Sequence, residues 1–448
     1  MLSPTAAQDR AAALIDYARR AGADAADAVY SGQLSEAVQV RLGKLEDVER
    51  SESEHLGLRV FTGQRSASIG SSDLSDAALQ ELAERAVTMA RLAPEDPYAG
   101  LAPAELLTSG PVLDLDLADP RELGPAQLRE LALAAEDAAR AVPGVTNSEG
   151  GGAVIGARSF ALVTSHGFAG SYGGTSRQIS ASVIAGEGAS MQRDYAYRSA
   201  HYLEDLPGPA EIGTQAGERA VARLNPSKLK SGAMPVVFDP RVGGSLIGHL
   251  AGAISGSAIA RRASFLLDHD CAQIFARGIT IADDPLRRRG LASRPFDGEG
   301  LPAAPRSLVE DGRLTGWLMD SAAARQLGAQ PTGHAARGGG GAPGVSPSNL
   351  HLAAGPLSVA ELIADIDEGV LVTELIGSGV NGVTGDYSRG AAGFRIVNGK
   401  ITGPVAEFTV AGNLLSMFAA LTPANDLEWH RSVNVPTIRI DGMMIAGD

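Results

Sequence analysis

The chain has 448 residues, 44% hydrophobic and 20% charged, long enough for two or three domains with sizeable cores. Its formal net charge of −14 argues against a phosphate-binding face, which would gather Lys and Arg, so nucleic acid is not an expected partner. The single cysteine, Cys271, allows no intramolecular disulfide and no cysteine-rich metal site, which suits a reducing compartment.

The first residues, MLSPTAAQDRAAALIDYARR, carry no basic segment ahead of an apolar core, so no signal peptide is expected and the cytoplasm is the assigned compartment. Apolar positions recur at helical spacing over 5–20 and stop at Gly22, which predicts an opening helix. Val38, Val40 and Leu42, then Leu56, Leu58 and Val60, alternate with other residues as in half-buried antiparallel strands. Ser75 precedes a capped amphipathic helix closed by Pro94 and Pro97, and a third helix spans 125–141 between Gly124 and Pro143-Gly144. Residues 145–198 read as a meander of strands, and 211–223 return to helical spacing.

The polar stretch NPSKLKSG marks the expected division into residues 1–226 and 227–448. Beyond it, MPVVFDP reads as a short buried strand and 241–260 as one apolar helix. That helix is too broken by glycine, serine and His249 to be one of the ~20-residue apolar spans that cross a bilayer. Asp311-Gly312 and Asn398-Gly399 each sit between apolar runs and predict tight hairpin turns. The predicted fold class is α+β: an N-terminal layer of helices and strands, then a mostly antiparallel, barrel-like C-terminal domain with a central helix.

Several motifs tempt a nucleotide or hydrolase reading. Gly377-Ser378-Gly379-Val380-Asn381-Gly382 fits G-x-G-x-x-G, but the glycine-rich text after it cannot open the helix that would hold a pyrophosphate. Gly338 to Gly341 lack the Lys-Ser/Thr of a phosphate loop and read as a flexible loop. No G-x-S-x-G occurs, and Cys271 reads as an inert, at least partly buried thiol. The cluster Asp268, His269, Asp270 and Cys271 reads as an acidic loop rather than a ligand set, and His249 as a hydrogen-bonded core histidine. No two histidines stand four or five apart, so no helix-borne zinc pair exists.

An ordered set of segments carries a family resemblance over nearly the whole chain. It comprises VQVRLGKLEDVERSE, LGLRVFTGQRSASIGSSDLS and APEDPYAGLA in the first half. In the second half it comprises RPFDGEGLP, LVEDGRLTGWLMDSAAARQLG, GSGVNGVTGDYSRGAAGFRIVNGKITGPVAEFTVAGNLLSMF and PTIRIDGMMIAG. Together these resemble the TldD/PmbA peptidase family, and within it the PmbA (TldE)-type branch. The family pairs a zinc peptidase bearing H-E-x-x-x-H and a late cysteine ligand with a subunit lacking both. Matching Arg261-Arg262 to the Arg-Arg after that motif puts its first His, Glu and second His on Gly248, His249 and Ala253. Shifting by one residue puts His249 on the first His but Leu250 and Ile254 on the others. The cysteine has no counterpart, since Asn425-Asp426-Leu427 runs through EWHRSVNV straight to PTIRI.

The resemblance implies a chain without metal, cofactor or catalytic residue of its own. It implies a TldD-type zinc subunit as partner, the two enclosing a chamber in which unfolded or small peptides are cut. Glycine density over 377–390 favours close approach of another backbone, so Gly377, Gly379, Asn381, Gly382 and Arg389 are the expected peptide-facing residues, a set of barrel turns being the alternative. An autonomous hydrolase, a non-enzymatic peptide-binding protein and a homodimer of the isolated chain stay open.

Overall fold

A computed structural model describes all residues, 1–448. The chain opens with α1 (Pro4–Arg20), whose first turn is fixed by Ser3 accepting from the Ala6 N–H and by Pro4 in the first helical position. Two long strands follow, β1 (Ala25–Arg41) and β2 (Lys44–Thr62), then β3 (Arg65–Ser71). After α2 (Asp76–Leu92), capped by Ser75 as expected, and α3 (Pro125–Ala141), the meander appears as β4 (Val145–Thr164), β5 (Ala169–Ala185) and β6 (Gln192–Ala200). These strands form one antiparallel sheet in the order β3-β2-β1-β4-β5-β6. With α4 (Pro209–Ala222), the helices pack onto it through alanine-rich faces. The near absence of large side chains lets backbones meet: a Cβ on Gly213 of α4 would lie 2.0 Å from the Ala135 carbonyl oxygen of α3. The half-burial expected over Leu56 to Val60 becomes full burial, since every residue from Leu56 to Phe61 is covered, while Lys44 to Ser53 of the same strand are exposed throughout in a projecting hairpin.

The second half begins at β7 (Gly232–Phe238) and α5 (Pro240–Ala253), which Asp239 caps by accepting from the Arg241 N–H. The single helix expected over 241–260 is in fact two. Ser255 leaves the helical region (ψ 127°), and α6 (Gly256–Ala260) starts anew. The cause is non-local: Leu318 donates to the Ile254 carbonyl and accepts from the Gly256 N–H, so a passing segment takes the hydrogen bonds that would continue the helix.

Next come β8 (Ile281–Asp283), β9 (Arg306–Glu310), β10 (Arg313–Leu314), α7 (Ser321–Leu327), β11 (Ala335–Ala336), β12 (Gly344–Val345) and β13 (Leu350–Leu352). The chain ends with α8 (Val359–Ile363), β14 (Glu368–Ile376), β15 (Asp386–Val397), β16 (Lys400–Asn413), α9 (Leu414–Ala419), β17 (Leu421–Pro423), β18 (Val433–Asn434) and β19 (Ile438–Ala446). Both expected turns are present, with left-handed φ at Asp311-Gly312 (47° and 78°) and Asn398-Gly399 (48° and 71°). Strands β16-β15-β14-β7-β19 close into a five-stranded barrel through a β16–β19 pairing, with β7–β14 its one parallel pair. The buried face of α5, with Leu246, Ile247 and Leu250 fully covered, packs into the core of this half.

The halves lock together through buried contacts. Asp27 of β1 holds Arg59 of β2 at 2.9 Å and Arg337 of the second half at 2.8 Å. The glycine run after Arg337 is not a free loop: Gly340 lies so close to β2 that a Cβ on Gly57 would sit 2.0 Å from the Gly340 Cα. Phe296, from RPFDGEGLP, inserts its ring against Phe168 and Tyr172, with centroids 4.9 and 5.4 Å apart. No helix is long and apolar enough to cross a membrane.

Candidate functional site

Helix α5 carries the positions aligned with the zinc motif, and its geometry separates the two registers. Leu250 and Ile254 are fully buried in the core. Gly248 faces open space, where an added Cβ would meet nothing within 4 Å, while Ala253 is buried. His249 is half-buried, and its Nε2 has no hydrogen-bond partner, contrary to the expected satisfied core histidine. Its ring lies 6.3 Å from that of Tyr387 on β15. Burial first, and the Arg389 charge second, lower the imidazole pKa, so the ring is neutral at neutral pH. Burial likewise pushes the Tyr387 hydroxyl up to about 12, against the pull of Arg389. The family's zinc does not fit these residues: the charge acting on the lone imidazole is the positive one of Arg389, and no three His, Cys, Asp or Glu side chains converge anywhere in the fold.

Beside this helix lies a polar cleft of about 350 Å³ between the two halves. Arg193, Asp194 and Tyr195 of β6 form one wall; Arg241 and Ser245 of α5 form another; Thr373 and Glu374 of β14 and Arg389 of β15 complete it. Asp194, only 3% exposed, receives Arg241 at 2.9 Å and lies 3.5 Å from Arg223, which also pairs with Glu374. Arg389 has no carboxylate partner; its single hydrogen bond is a long 3.5 Å contact to the Leu375 carbonyl. The Nε of Arg389 and the Thr373 hydroxyl are buried without a hydrogen-bond partner, while Arg241 Nε lies 3.4 Å from Asp239 Oδ1 and Asp194 Oδ2 has only the ion-pair contact to Arg223. Crowded arginines also weigh on one another: burial, then the Arg241 charge, bring Arg219 down to about 10.

Of the residues singled out over 377–390, only Arg389 lines this cleft. The others build the loop that returns the chain to β15. Gly377 takes a left-handed φ of 77°. A Cβ on Gly379 would sit 2.0 Å from the Ser388 carbonyl oxygen, so glycine permits that close pairing. Asn381 accepts from the Val383 N–H at 2.9 Å, and the Gly382 carbonyl accepts from the Phe265 N–H. Sequence reading missed Arg241, Asp194, Arg223 and Thr373. A signal existed in EGVLVTELI, where Thr373-Glu374 interrupts an apolar strand.

Other titratable groups do not assemble chemistry. Asp283 and His334 are buried 3.4 Å apart, but Asp283 is also occupied by Ser348. Cys271 is exposed rather than buried, and the Asp270 charge chiefly raises its thiol pKa, which keeps it poorly nucleophilic. Its neighbours Asp268 and His269 gather into no ligand set.

Family profiles described as PmbA/TldA metallopeptidase domain 1, central domain and C-terminal domain match residues 26–90, 118–224 and 231–447. The chain is 40% identical over 428 residues to "Metalloprotease PmbA" of Escherichia coli O157:H7, covering 95% of this chain and 92% of that one. It is 37% identical to "Metalloprotease PmbA homolog" of Haemophilus influenzae, covering 97% and 94%. A crystal structure from Bacteroides thetaiotaomicron, described as a candidate modulator of DNA gyrase, superposes with a TM-score of 0.91 at 28% identity over the full length of both chains. TldE from Thermococcus kodakarensis shares the fold at a TM-score of 0.85 and 21% identity, covering 98% of this chain and all of that one. The three consecutive profile matches and the near full-length identity place this chain in the PmbA/TldD metallopeptidase family.

Proposed function

We propose that this chain is the zinc-free subunit of a TldD/TldE-type peptidase. It works in the cytoplasm with a zinc-bearing TldD-type partner on unfolded or small peptides. The observation that carries the reading is the surface of α5, where His249 stands alone, its Nε2 unpartnered and the Tyr387 ring 6.3 Å away, with no set of three ligands around it. A zinc peptidase needs about three protein ligands and a water that a carboxylate deprotonates. A divalent cation at His249 would meet the Arg389 charge instead, and a bound water would have no general base. The likeness to a chain named "Metalloprotease PmbA" supports the peptidase-family part of this reading.

The test is to purify the chain alone and together with a TldD-type zinc subunit, then to measure metal content, oligomeric state and peptide hydrolysis. The chain alone is expected to hold no stoichiometric zinc and to cut nothing, the pair to form a stable complex that cuts, and His249→Ala to leave that cutting largely intact. About one zinc per isolated chain, lost together with activity in His249→Ala, would replace this reading with an autonomous hydrolase. Tight peptide binding without cleavage by either preparation would make the chain a binding protein.

A further inference from the structure

We propose that the cleft between β6, α5 and β14 binds the terminal carboxylate of a peptide, with Arg389 as its charged partner and Thr373 as its neutral donor. The peptide identity of the ligand rests on the peptidase-subunit reading above; the carboxylate chemistry rests on the cleft's own donors.

The cleft has a donor surplus inside an acidic protein. Four arginines line it against two carboxylates, in a chain whose net charge is −14. Asp194 and Glu374 are engaged by Arg223 and Arg241, and Arg193 has Glu149 at 3.4 Å. That leaves Arg389 as the one lining cation without a carboxylate. A buried donor without an acceptor costs free energy comparable to a lost hydrogen bond, so the unpartnered Nε of Arg389 and the unpartnered Thr373 hydroxyl indicate an acceptor that arrives from outside. Arginine's planar fork matches a carboxylate. One uncompensated charge between two flanking acids suits a monoanion and disfavours a phosphate dianion.

Backbone geometry supplies the peptide half. Strand β14 runs to Ile376, but its pairing with β7 stops at Val372, so beyond that point no strand pairs with its edge on the β7 side. Its other edge stays paired with β15 through Ile376. Thr373 sits at the β-bulge between Val372 and Glu374, the kind of irregularity that re-aims a side chain beside a site. A peptide can therefore add its last residues to the free edge of β14 while its carboxylate meets Arg389. The cavity, about 350 Å³, lies at the small end of the ~300–1,000 Å³ range of ligand sites, as a chain end rather than a whole substrate requires.

The experiment uses the isolated full-length chain and fluorescence anisotropy of one labelled peptide free of acidic side chains, made as the free acid and as the C-terminal amide. The free acid should bind roughly tenfold or more tightly than the amide, the worth of one charge-assisted hydrogen-bonded contact. Arg389→Met should bring the free acid down to the level of the amide, Arg389→Lys should restore part of the preference, and Thr373→Val should weaken only the free acid. A melting curve for each variant separates loss of binding from loss of fold. Equal binding of acid and amide, or a preference that survives Arg389→Met, would overturn the assignment. So would an internal glutamate restoring full binding to the amide, or inorganic phosphate displacing the peptide better than acetate does. Because no zinc partner is present, failure here leaves the subunit reading standing, and inactivity of the paired complex would leave a measured carboxylate preference standing.

Discussion

The two halves solve the problem of a 4% aromatic sequence differently. The first half is built from strands of up to 20 residues paired with their sequence neighbours, apart from the β1–β4 pairing, under helices whose alanine and glycine faces allow backbones to touch. The second half gathers most of the larger buried side chains into a single cluster of 37 residues drawn from many short elements. Its barrel seats β7 between β14 and β19, both far from it in sequence, and the polar cleft forms where the parallel β7–β14 pair ends. Regular local pairing gives a platform; irregular, non-local closure leaves backbone and side-chain donors unpaired, and that is where binding chemistry can sit.

The sharpest way to break this comparison is to cut the buried link between the halves. Asp27→Ala strands Arg59 and Arg337, whose side chains are 7% and 0% exposed, without their shared carboxylate. Although burial alone would raise its pKa, the two arginines hold the Asp27 carboxyl below its usual range. Removing it is expected to cost about 3–5 kcal/mol, read as a lower midpoint in guanidinium unfolding. If the halves are one cooperative unit, circular dichroism and tryptophan fluorescence will shift together. Two separated transitions would show that each half keeps its own stability.

Next in size is a pH effect from the same junction. Burial first, and the Asp297 charge second, push the Glu299 carboxyl up to about 7 from its ordinary 4.5. Between those values the folded chain holds more protons than the unfolded chain, so stability falls as pH rises through that window. A shift of this size amounts to roughly 3 kcal/mol. Burial raises Asp297 as well, with the same sign. Glu299→Gln should flatten the dependence of melting temperature between pH 5 and 7; an unchanged slope would remove Glu299 as its source.

The smallest expected effect is local to the first half. Ser75→Ala removes the side chain that accepts from the Ala78 N–H and should cost about 1 kcal/mol. Hydrogen exchange should quicken in α2 while protection in the barrel stays the same. Faster exchange in the barrel would show that the platform and the closed half are more tightly coupled than their separate cores suggest.

What the sequence determined by itself was whatever depends on neighbours in the chain. Ser75 announces a helix start because a cap acts within three residues. Asn398-Gly399 and Asp311-Gly312 announce hairpins because left-handed φ is a residue's own property. The α+β class and the family resemblance were legible for the same reason, since ordered motifs and periodicity survive without coordinates. Tertiary structure alone decided the rest. Nothing within 241–260 reveals that Leu318 breaks the helix, and nothing in the glycine run after Arg337 reveals that it rests on Gly57. RPFDGEGLP could be quoted as a family motif, yet its role of seating Phe296 among Phe168 and Tyr172 appears only in three dimensions. The cleft is the extreme case: Arg193, Arg241, Thr373 and Arg389 come from four separate elements, and that Arg389 lacks a carboxylate partner is a property of their assembly. Local propensity is written residue by residue, whereas unsatisfied donors exist only once every competing partner has been placed.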